Sequence, residues 1–293
     1  MAFNWSTFKT RTLTAIIFAV VMLFGLLWNW WSFFLLFSII HFGCWWEYLK
    51  LTEKIYKCSF HIYMKMGFMV MGYGLMLWFC GPVYRISGYG FKENLSLPVS
   101  AAGFALVLLG LFQRNAVSVK AFLMTLAGIV YISLSWGLLT DLYCQATTLH
   151  FHDTVFLLAT GRLPLIIIAS IWINDTMAYI VGSLIGKTPL TSISPKKTWE
   201  GTIGGVLLSV LVTGALLNFV YVKAFSLYLA IVIASIALIA AVTGTFGDLF
   251  ESKLKRMASV KDSGSLMPGH GGFLDRFDSM LFAVPAVWIY MQL

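Results

Sequence analysis

Residues 163–186 read LPLIIIASIWINDTMAYIVGSLIG, and this run decides the fold class. A helix needs about 20 apolar residues to cross a bilayer, so the run predicts a membrane span. Its middle carries Asn174, Asp175 and Thr176. A carboxylate at such depth costs about 2.5 to 3.5 kcal/mol on insertion scales, so we expect Asp175 to face a bundle interior or a water-filled cavity. The sequence leaves open whether Asp175 binds a cation, binds a substrate or packs against another helix by a hydrogen bond.

The whole chain shares this apolar character. Hydrophobic residues make up 59% of it, charged residues only 11%, and the mean hydropathy is +0.85, whereas soluble domains carry roughly 25% charged residues. We therefore expect an all-α polytopic membrane protein with one integral-membrane domain over residues 1–293. Within it, residues 1–162 are expected to form scaffold, lipid-facing and dimer-forming helices, and residues 163–293 the catalytic helices and cytoplasmic loops.

Apolar runs predict nine spans. Their approximate limits are 12–28, 31–49, 65–84, 98–112, 120–141, 163–186, 201–222, 227–247 and 273–293. With a cytoplasmic N-terminus, all but four of the 20 lysine and arginine residues fall in inside segments. This bias follows the positive-inside rule and supports both the span model and a cytoplasmic N-terminus. The net charge of +8 suits anionic headgroups or nucleotide phosphates, although topology alone accounts for most of it.

The segment after the sixth span, SISPKKTWEG at 192–201, presents two adjacent ammonium groups beside a predicted helix start. Lys196 and Lys197 are plausible phosphate ligands, but a lysine pair at a cytoplasmic helix end is also common on topology grounds. The glycines Gly201, Gly204 and Gly205 favour close packing of another helix.

Charged side chains concentrate near the C-terminus. If the eighth helix continues beyond the membrane, Asp248, Ser252 and Lys255 fall on one face at i, i+4 and i+7. A glycine-rich turn then leads to the last helix, where Asp275 and Asp278 share a face. Magnesium typically takes one or two carboxylates and completes its shell with water and substrate phosphate. Asp248 and Asp275 could reach one such ion, and the neighbouring lysines would neutralise a polyphosphate.

These residues suit phosphoryl or nucleotidyl transfer. The sequence offers no evident Ser-His-Asp arrangement or reactive-cysteine setting for a covalent intermediate. A phosphate monoester has a second pKa near 6, so as nucleophile it needs no strong general base. The remaining work is to position two anions and to stabilise the leaving group.

The stretch 252–278, SKLKRMASVKDSGSLMPGHGGFLDRFD, resembles the signature of the phosphatidate cytidylyltransferase (CDP-diacylglycerol synthase) family. Upstream, NDTMAY, SPKKTWEG and GDLFES resemble family segments in the expected order. The resemblance covers roughly the last 120 residues; the first five predicted spans resemble the family only in hydrophobicity.

The resemblance implies transfer of CMP from CTP to phosphatidic acid, giving CDP-diacylglycerol and pyrophosphate. It implies that Asp248 and Asp275 bind a metal centre that contains Mg²⁺ and can also contain K⁺. Asp175 and Asp278 are further candidates for substrate binding. The residues expected around the nucleotide or lipid phosphates are Lys196, Lys197, Ser252, Lys255, Arg256, Lys261 and His270.

We also expect membrane lipid and a second copy of the chain as partners, no nucleic acid, and an active site on the cytoplasmic side of the cell membrane. Two rival functions stay open. A CTP-dependent polyprenol or phytol kinase would release CDP instead of pyrophosphate. A cation-coupled transporter would account for Asp175, but it usually shows repeats and paired interrupted helices, which this sequence lacks.

Overall fold

The structure is a computed structural model that describes residues 5–113, 117–145, 147–151, 154–158, 161–221, 226–265 and 271–293. Every predicted apolar run forms a helix there. In chain order the α-helices are α1 (Trp5–Leu27), α2 (Trp30–Tyr56), α3 (Ile62–Trp78), α4 (Ser96–Leu111), α5 (Val119–Gly128), α6 (Ser135–Cys144), α7 (Arg162–Ile185), α8 (Trp199–Tyr221), α9 (Leu227–Met257) and α10 (Leu274–Gln292).

Two helices contain π-helical turns that the sequence does not signal. The turn Phe91–Leu95 leads into α4, and the turn Ile129–Leu134 joins α5 to α6. The fifth predicted span is therefore one interrupted helix. Such turns are rare and often lie at functional sites. Here the second one carries Ser133, whose hydroxyl is buried against His41 and Trp45 of α2.

The expectation of an all-α chain is confirmed, and two short antiparallel hairpins lie between the helices. Strands β1 (Arg85–Ile86) and β2 (Tyr89–Gly90) are joined by Ser87 and Gly88, both at positive φ. Positive φ at both central residues is typical of a type I′ two-residue hairpin turn. Strands β3 (Thr147–Phe151) and β4 (Thr154–Leu158) pair with Thr147 opposite Leu158.

Five helical segments in the described residues are long and apolar enough to cross a membrane. They are Trp30–Tyr56, Phe91–Leu111, Val119–Cys144, Arg162–Ile185 and Leu227–Met257. Shorter apolar stretches lie at 12–27 and 199–215. These segments support the reading of a helical membrane protein. The count of nine spans and the cytoplasmic N-terminus stay predictions.

Residue contacts divide the chain into two compact units, residues 1–140 with 254–277 and residues 141–253 with 278–293. The first unit has an aromatic core in which Trp45, Trp136 and Phe277 are almost fully buried. The Trp136 and Phe277 rings meet edge to face at 5.5 Å, a favourable geometry for aromatic pairs. Through Phe277, this packing anchors the end of the charged segment 252–278 in the core of the first unit. The single domain and its internal boundary at residue 162 stay predictions.

The second unit is built around the close pair α7 and α8. A Cβ added to Gly201 would lie 2.8 Å from the Ala178 backbone oxygen and 2.9 Å from the Gly182 Cα, so a glycine at position 201 is needed for this approach. The Ser209 hydroxyl donates to the Ser170 carbonyl oxygen at 2.8 Å and ties the two helices further along. The predicted packing role of the α8 glycines is confirmed.

A methyl group at Gly205 should destabilise the second unit. The new Cβ would lie 2.7 Å from the Ala178 Cβ and 2.8 Å from the Asn174 backbone oxygen. Overpacking of this kind costs about 1 to 3 kcal/mol, against the roughly 1 kcal/mol that a helix gains when Gly becomes Ala. We expect Gly205→Ala to lower the midpoint of thermal unfolding in detergent micelles.

Gly214→Ala, on the same helix, is the matched control. Its new Cβ would lie 3.3 Å from the Ala234 Cβ, a contact that a small relaxation relieves. The midpoint of this variant should stay level or rise. Equal shifts for the two variants would contradict the packing described for α7 and α8.

Candidate active site

A cavity of about 440 Å³ opens in the second unit. Helices α7, α8 and α9 and the loop between α7 and α8 form its walls. The side chains and glycines that line it are Asn174, Asp175, Ala178, Tyr179, Gly182, Ser183, Ser194, Lys196, Lys197, Thr198, Gly201, Thr202, Thr245 and Asp248. Four of the predicted site residues, Asp175, Lys196, Lys197 and Asp248, therefore meet in one cavity. The expectation that Asp175 faces a cavity is confirmed.

The loop that carries the two lysines is closed by its own backbone. The Leu190 amide donates to the Lys197 carbonyl at 2.8 Å, and the Trp199 amide donates to the Thr188 carbonyl at 2.9 Å. The Glu200 carboxylate accepts from the amides of Lys187 and Thr188, each at 3.2 Å. Hydrogen bonds from its own backbone amide, and from Thr188, lower the pKa of Glu200 to about 2. Glu200 thus stays charged and holds the base of the lysine loop.

Asp248 lies on α9, which extends well beyond the predicted limit at residue 247. The expected alignment of Asp248, Ser252 and Lys255 on one helix face follows from that extension. The Asp248 Oδ2 forms an ion pair with the Lys197 ammonium, and its Oδ1 accepts from the Ser252 hydroxyl at 3.2 Å. Both charged side chains keep more than a quarter of their surface exposed. The carboxylate predicted for a metal ion is thus paired with an ammonium predicted for phosphate.

Asp275, in the first unit, has hydrogen-bond partners on both carboxylate oxygens. Its Oδ1 accepts from the Lys255 ammonium at 2.6 Å. Its Oδ2 accepts from the Ser263 amide and the Gly272 amide, both at 2.8 Å, and lies 2.8 Å from the Ser263 hydroxyl. Gly271 beside it has φ +82°, a left-handed conformation that favours glycine. Asp275 therefore organises the glycine turn before α10.

A second carboxylate in this turn, Glu47 of α2, was missed by the sequence reasoning. It is 6% exposed and accepts from the amides of Phe273 and Leu274, each at 2.9 Å. Its Oε2 lies 2.7 Å from the Ser263 hydroxyl, which it shares with Asp275. The only local signal is an acidic residue within the apolar stretch CWWEYLK at 44–50. Glu47 connects α2 to the predicted signature segment.

The first unit also has a cavity of about 540 Å³ beside this carboxylate. Lys50 and Lys54 line it, and the Lys50 ammonium lies 5.2 Å from the centre of the Trp46 ring. Lys50 and Lys54 were not among the predicted site residues. Three other predicted site residues belong to the segment 252–278. Arg256 and Lys261 are exposed, and His270 lies outside the described residues.

The remaining predicted residue, Asp278, belongs to the second unit, where its Oδ1 accepts from the Ser279 amide at 2.7 Å. Gly247 of α9 packs against the backbone of Asp278 and Ser279. Asp248 and Asp275 fall in different units, so the metal ion that they were predicted to share stays a prediction.

The described residues contain no cluster of three or more His, Cys, Asp or Glu side chains suited to a metal ion. Magnesium does not require one, since one or two carboxylates with water and phosphate suffice. Asp248 and Ser252 together present carboxylate and hydroxyl oxygens, the hard donors that Mg²⁺ prefers. The residues present therefore fit such an ion.

Comparison with known proteins relates the chain to one family. Residues 9–293 match the family described as the cytidylyltransferase family. A chloroplastic phosphatidate cytidylyltransferase of Arabidopsis thaliana is 37% identical over 215 residues, which are 68% of this chain and 53% of the plant protein. The phosphatidate cytidylyltransferase of Staphylococcus saprophyticus is 35% identical over 192 residues, 65% of this chain and 67% of that protein.

The corresponding Staphylococcus aureus protein is 46% identical over 122 residues, 41% of this chain and 45% of its own length. The chain thus spans about half the length of the plant and Staphylococcus aureus relatives that it matches.

Removal of the Glu47 carboxylate should loosen the turn before α10. In Glu47→Ala, the amides of Phe273 and Leu274 lose their acceptor, and each unsatisfied buried donor costs about 1 to 3 kcal/mol. We expect amide hydrogen exchange in peptides covering residues 259–277 to accelerate at least tenfold. This factor corresponds to a decrease of roughly 1.4 kcal/mol in the free energy of local opening. Mass spectrometry of the detergent-solubilised protein measures this exchange.

Glu93→Ala is the control for loss of a carboxylate. Glu93 is about half exposed and lies 3.9 Å from Arg85, and exposed pairs of this kind contribute about 0 to 1 kcal/mol. Exchange in residues 259–277 should not change in this variant. If Glu47→Ala also leaves that exchange at the wild-type rate, Glu47 does not hold the turn.

Proposed function

The chain belongs to the cytidylyltransferase family, and on that basis we propose that it is an integral-membrane phosphatidate cytidylyltransferase. It transfers CMP from CTP to phosphatidic acid and releases pyrophosphate. The observation that carries the proposal is the cavity in which Lys196, Lys197, Asp175 and Asp248 meet. The names of its relatives agree with this reaction.

The reaction is a direct displacement. An oxygen of the lipid phosphate forms a bond to the α-phosphorus of CTP, the bond from that phosphorus to the α,β-bridging oxygen breaks, and its electron pair leaves with pyrophosphate. The lipid phosphate is largely dianionic at neutral pH, so no protein base has to remove a proton. The protein must instead bring two anions together and neutralise the charge that builds up on the leaving group.

The lysines supply this neutralisation. Lys197 and Lys196 line the cavity, and Lys255 lies in the first unit on Asp275. Ammonium groups act as strong donors to phosphate oxygens. Lys197 and Lys255 are held by carboxylates, so their positions are restrained before a substrate enters. An arriving phosphate competes for ammonium groups that are already ordered, which lowers the entropy lost on binding.

We assign Asp248 and Asp275 to the metal centre, with Mg²⁺ as the divalent ion and K⁺ as its companion. When bound, the metal neutralises phosphate charge and orients the leaving group. The oxygens open to exchange are Asp248 Oδ2 and Asp275 Oδ1, since each has a lysine ammonium as its partner. Release of these carboxylates would free Lys197 and Lys255 to contact the phosphates.

The proposal includes a multi-pass protein in the cell membrane, a cytoplasmic active site and a homodimer. The distribution of lysine and arginine supports the orientation. The expected assignments of Ser252, Arg256, Lys261, His270 and Asp278 to phosphate or substrate binding belong to the same proposal.

A product assay tests the activity. Detergent-purified protein with labelled CTP, Mg²⁺ and phosphatidic acid should form CDP-diacylglycerol and equimolar pyrophosphate. Release of CDP with a polyprenol or phytol as acceptor would identify a CTP-dependent lipid kinase instead. Cation flux into proteoliposomes without CTP turnover would identify a transporter. Failure to form CDP-diacylglycerol under all lipid and metal conditions would refute the proposed activity.

Two carboxylate variants should both lose activity but differ in stability. Asp248→Asn and Asp275→Asn should each lower kcat by at least 100-fold, in the range measured when one group that stabilises the transition state is removed. Asp248→Asn should unfold at the wild-type temperature, because Asp248 is partly exposed. Asp275→Asn should also unfold earlier, because the carboxylate it replaces is almost fully buried among four donors.

Turnover and thermal unfolding are measured on the same preparations. Wild-type turnover in both variants would refute the metal assignment. Equal unfolding temperatures for the two variants would contradict the hydrogen-bond network around Asp275.

A further inference from the structure

The Oδ1 atom of Asn174 is a buried polar atom without a hydrogen-bond partner in the described part of the chain. Asn174 is 4% exposed and lines the cavity of the second unit. A buried acceptor that lacks a donor costs about 1 to 3 kcal/mol. Such atoms in native proteins are few, and a bound ion or an ordered water is one of the recognised reasons for them.

The orientation of this amide is set by its neighbour. The Asn174 Nδ2 donates to the Asp175 Oδ1 at 3.4 Å. The reverse orientation would put the amide oxygen against a carboxylate oxygen, two acceptors with no proton between them. The oxygen end of Asn174, rather than its NH₂ end, is therefore the end without a donor. An acceptor that lacks a donor in a polar cavity suits a cation or a water molecule.

The other oxygen groups that line the cavity favour a cation over a water molecule. Asp175 on α7 and Asp248 on α9 both line it, so two carboxylates accompany the amide oxygen. Asp248 already has the Lys197 ammonium as its partner, which shows that this carboxylate attracts a positive charge. Carboxylates and an amide carbonyl are oxygen ligands of the type that Mg²⁺, Mn²⁺ and Ca²⁺ take.

We propose that Asn174 and Asp175 of α7 supply oxygen ligands for a divalent cation in this cavity, together with Asp248. All three of these ligands belong to the second unit. The metal role that we assigned to Asp275 is kept alongside them. The cation replaces the Lys197 ammonium at Asp248, and Lys197 then contacts the nucleotide phosphates. Only this last step rests on the proposed function, because cation binding itself needs no turnover.

Mn²⁺ binding tests the proposal. The Mn²⁺ signal in electron paramagnetic resonance weakens on binding, so titration of detergent-purified protein gives a Kd. The titration is run without nucleotide and with a CTP analogue in which a methylene group replaces the α,β-bridging oxygen, so that no reaction occurs. Asn174→Leu removes the oxygen at similar size, and Asp175→Asn removes the charge. Each should raise the Kd at least tenfold, within the range of 10- to 100-fold measured for groups around metal sites.

Two further variants separate cation binding from general damage. Asn174→Asp keeps an oxygen at the same place and adds a charge, so its Kd should equal the wild-type value or fall below it. Asp141→Asn is the control: Asp141 belongs to the same unit and accepts from Trp288 and Gln145, but it does not line the cavity. Its Kd should match that of the wild type.

The proposal is overturned if Asn174→Leu and Asp175→Asn bind Mn²⁺ as the wild type does, or if the wild type binds none with or without the analogue. If Asn174→Leu does not fold, Asp175→Asn and Asn174→Asp still decide the outcome. A chain that binds Mn²⁺ as expected but makes no CDP-diacylglycerol keeps the cation site and loses the proposed function, so the two failures are distinguishable.

Discussion

The charged turn before α10 depends on the buried carboxylate of Glu47, which shares the Ser263 hydroxyl with Asp275. A charge in an apolar interior is stable only when donors surround it. Glu47 obtains two of its donors from the amides at the start of α10, where the helix dipole also favours a negative charge. This accounts for Gly264 and Gly272, since a Cβ on either would collide with the Glu47 carboxylate. The glycines near Glu47 thus permit close approach, and the turn is ordered by the same contacts.

Each unit contains a pair of a lysine and a carboxylate among the predicted site residues. Lys197 pairs with Asp248 in the second unit, and Lys255 pairs with Asp275 in the first. Lys255 and Asp275 are largely buried, so either charge without its partner would carry a large desolvation cost. Lys197 and Asp248 each keep more than a quarter of their side-chain surface exposed, so water can still solvate them when the pair is broken. Each pair thus holds its ammonium and its carboxylate in place, with the charge of one balanced by the charge of the other.

Hydropathy predicted the helices because membrane helices satisfy their own backbone and need only an apolar surface. It also predicted that Asp175 faces a cavity, and helix periodicity placed Asp248 and Ser252 on one face of α9. It did not predict Glu47, whose partner Ser263 is 216 residues away. Nothing in local spacing links them, because the contact is tertiary. The π-helical turns and the short hairpins were missed for a related reason: both alter backbone pairing without changing apolar content.

Asp175 lies on the side of α7 that lines the cavity of the second unit. A carboxylate at the centre of a bilayer costs roughly 2.5 to 3.5 kcal/mol, more than the about 1 to 2 kcal/mol that an interhelical hydrogen bond contributes. The link between α7 and α8 is already supplied by neutral groups, namely the Ser209 hydroxyl on the Ser170 carbonyl and the contact of Gly201 with Gly182. Asp175 lies on the cavity side instead, beside the unpartnered oxygen of Asn174. The cation that we propose for this cavity would offset the charge of Asp175 and would give the Asn174 oxygen a partner.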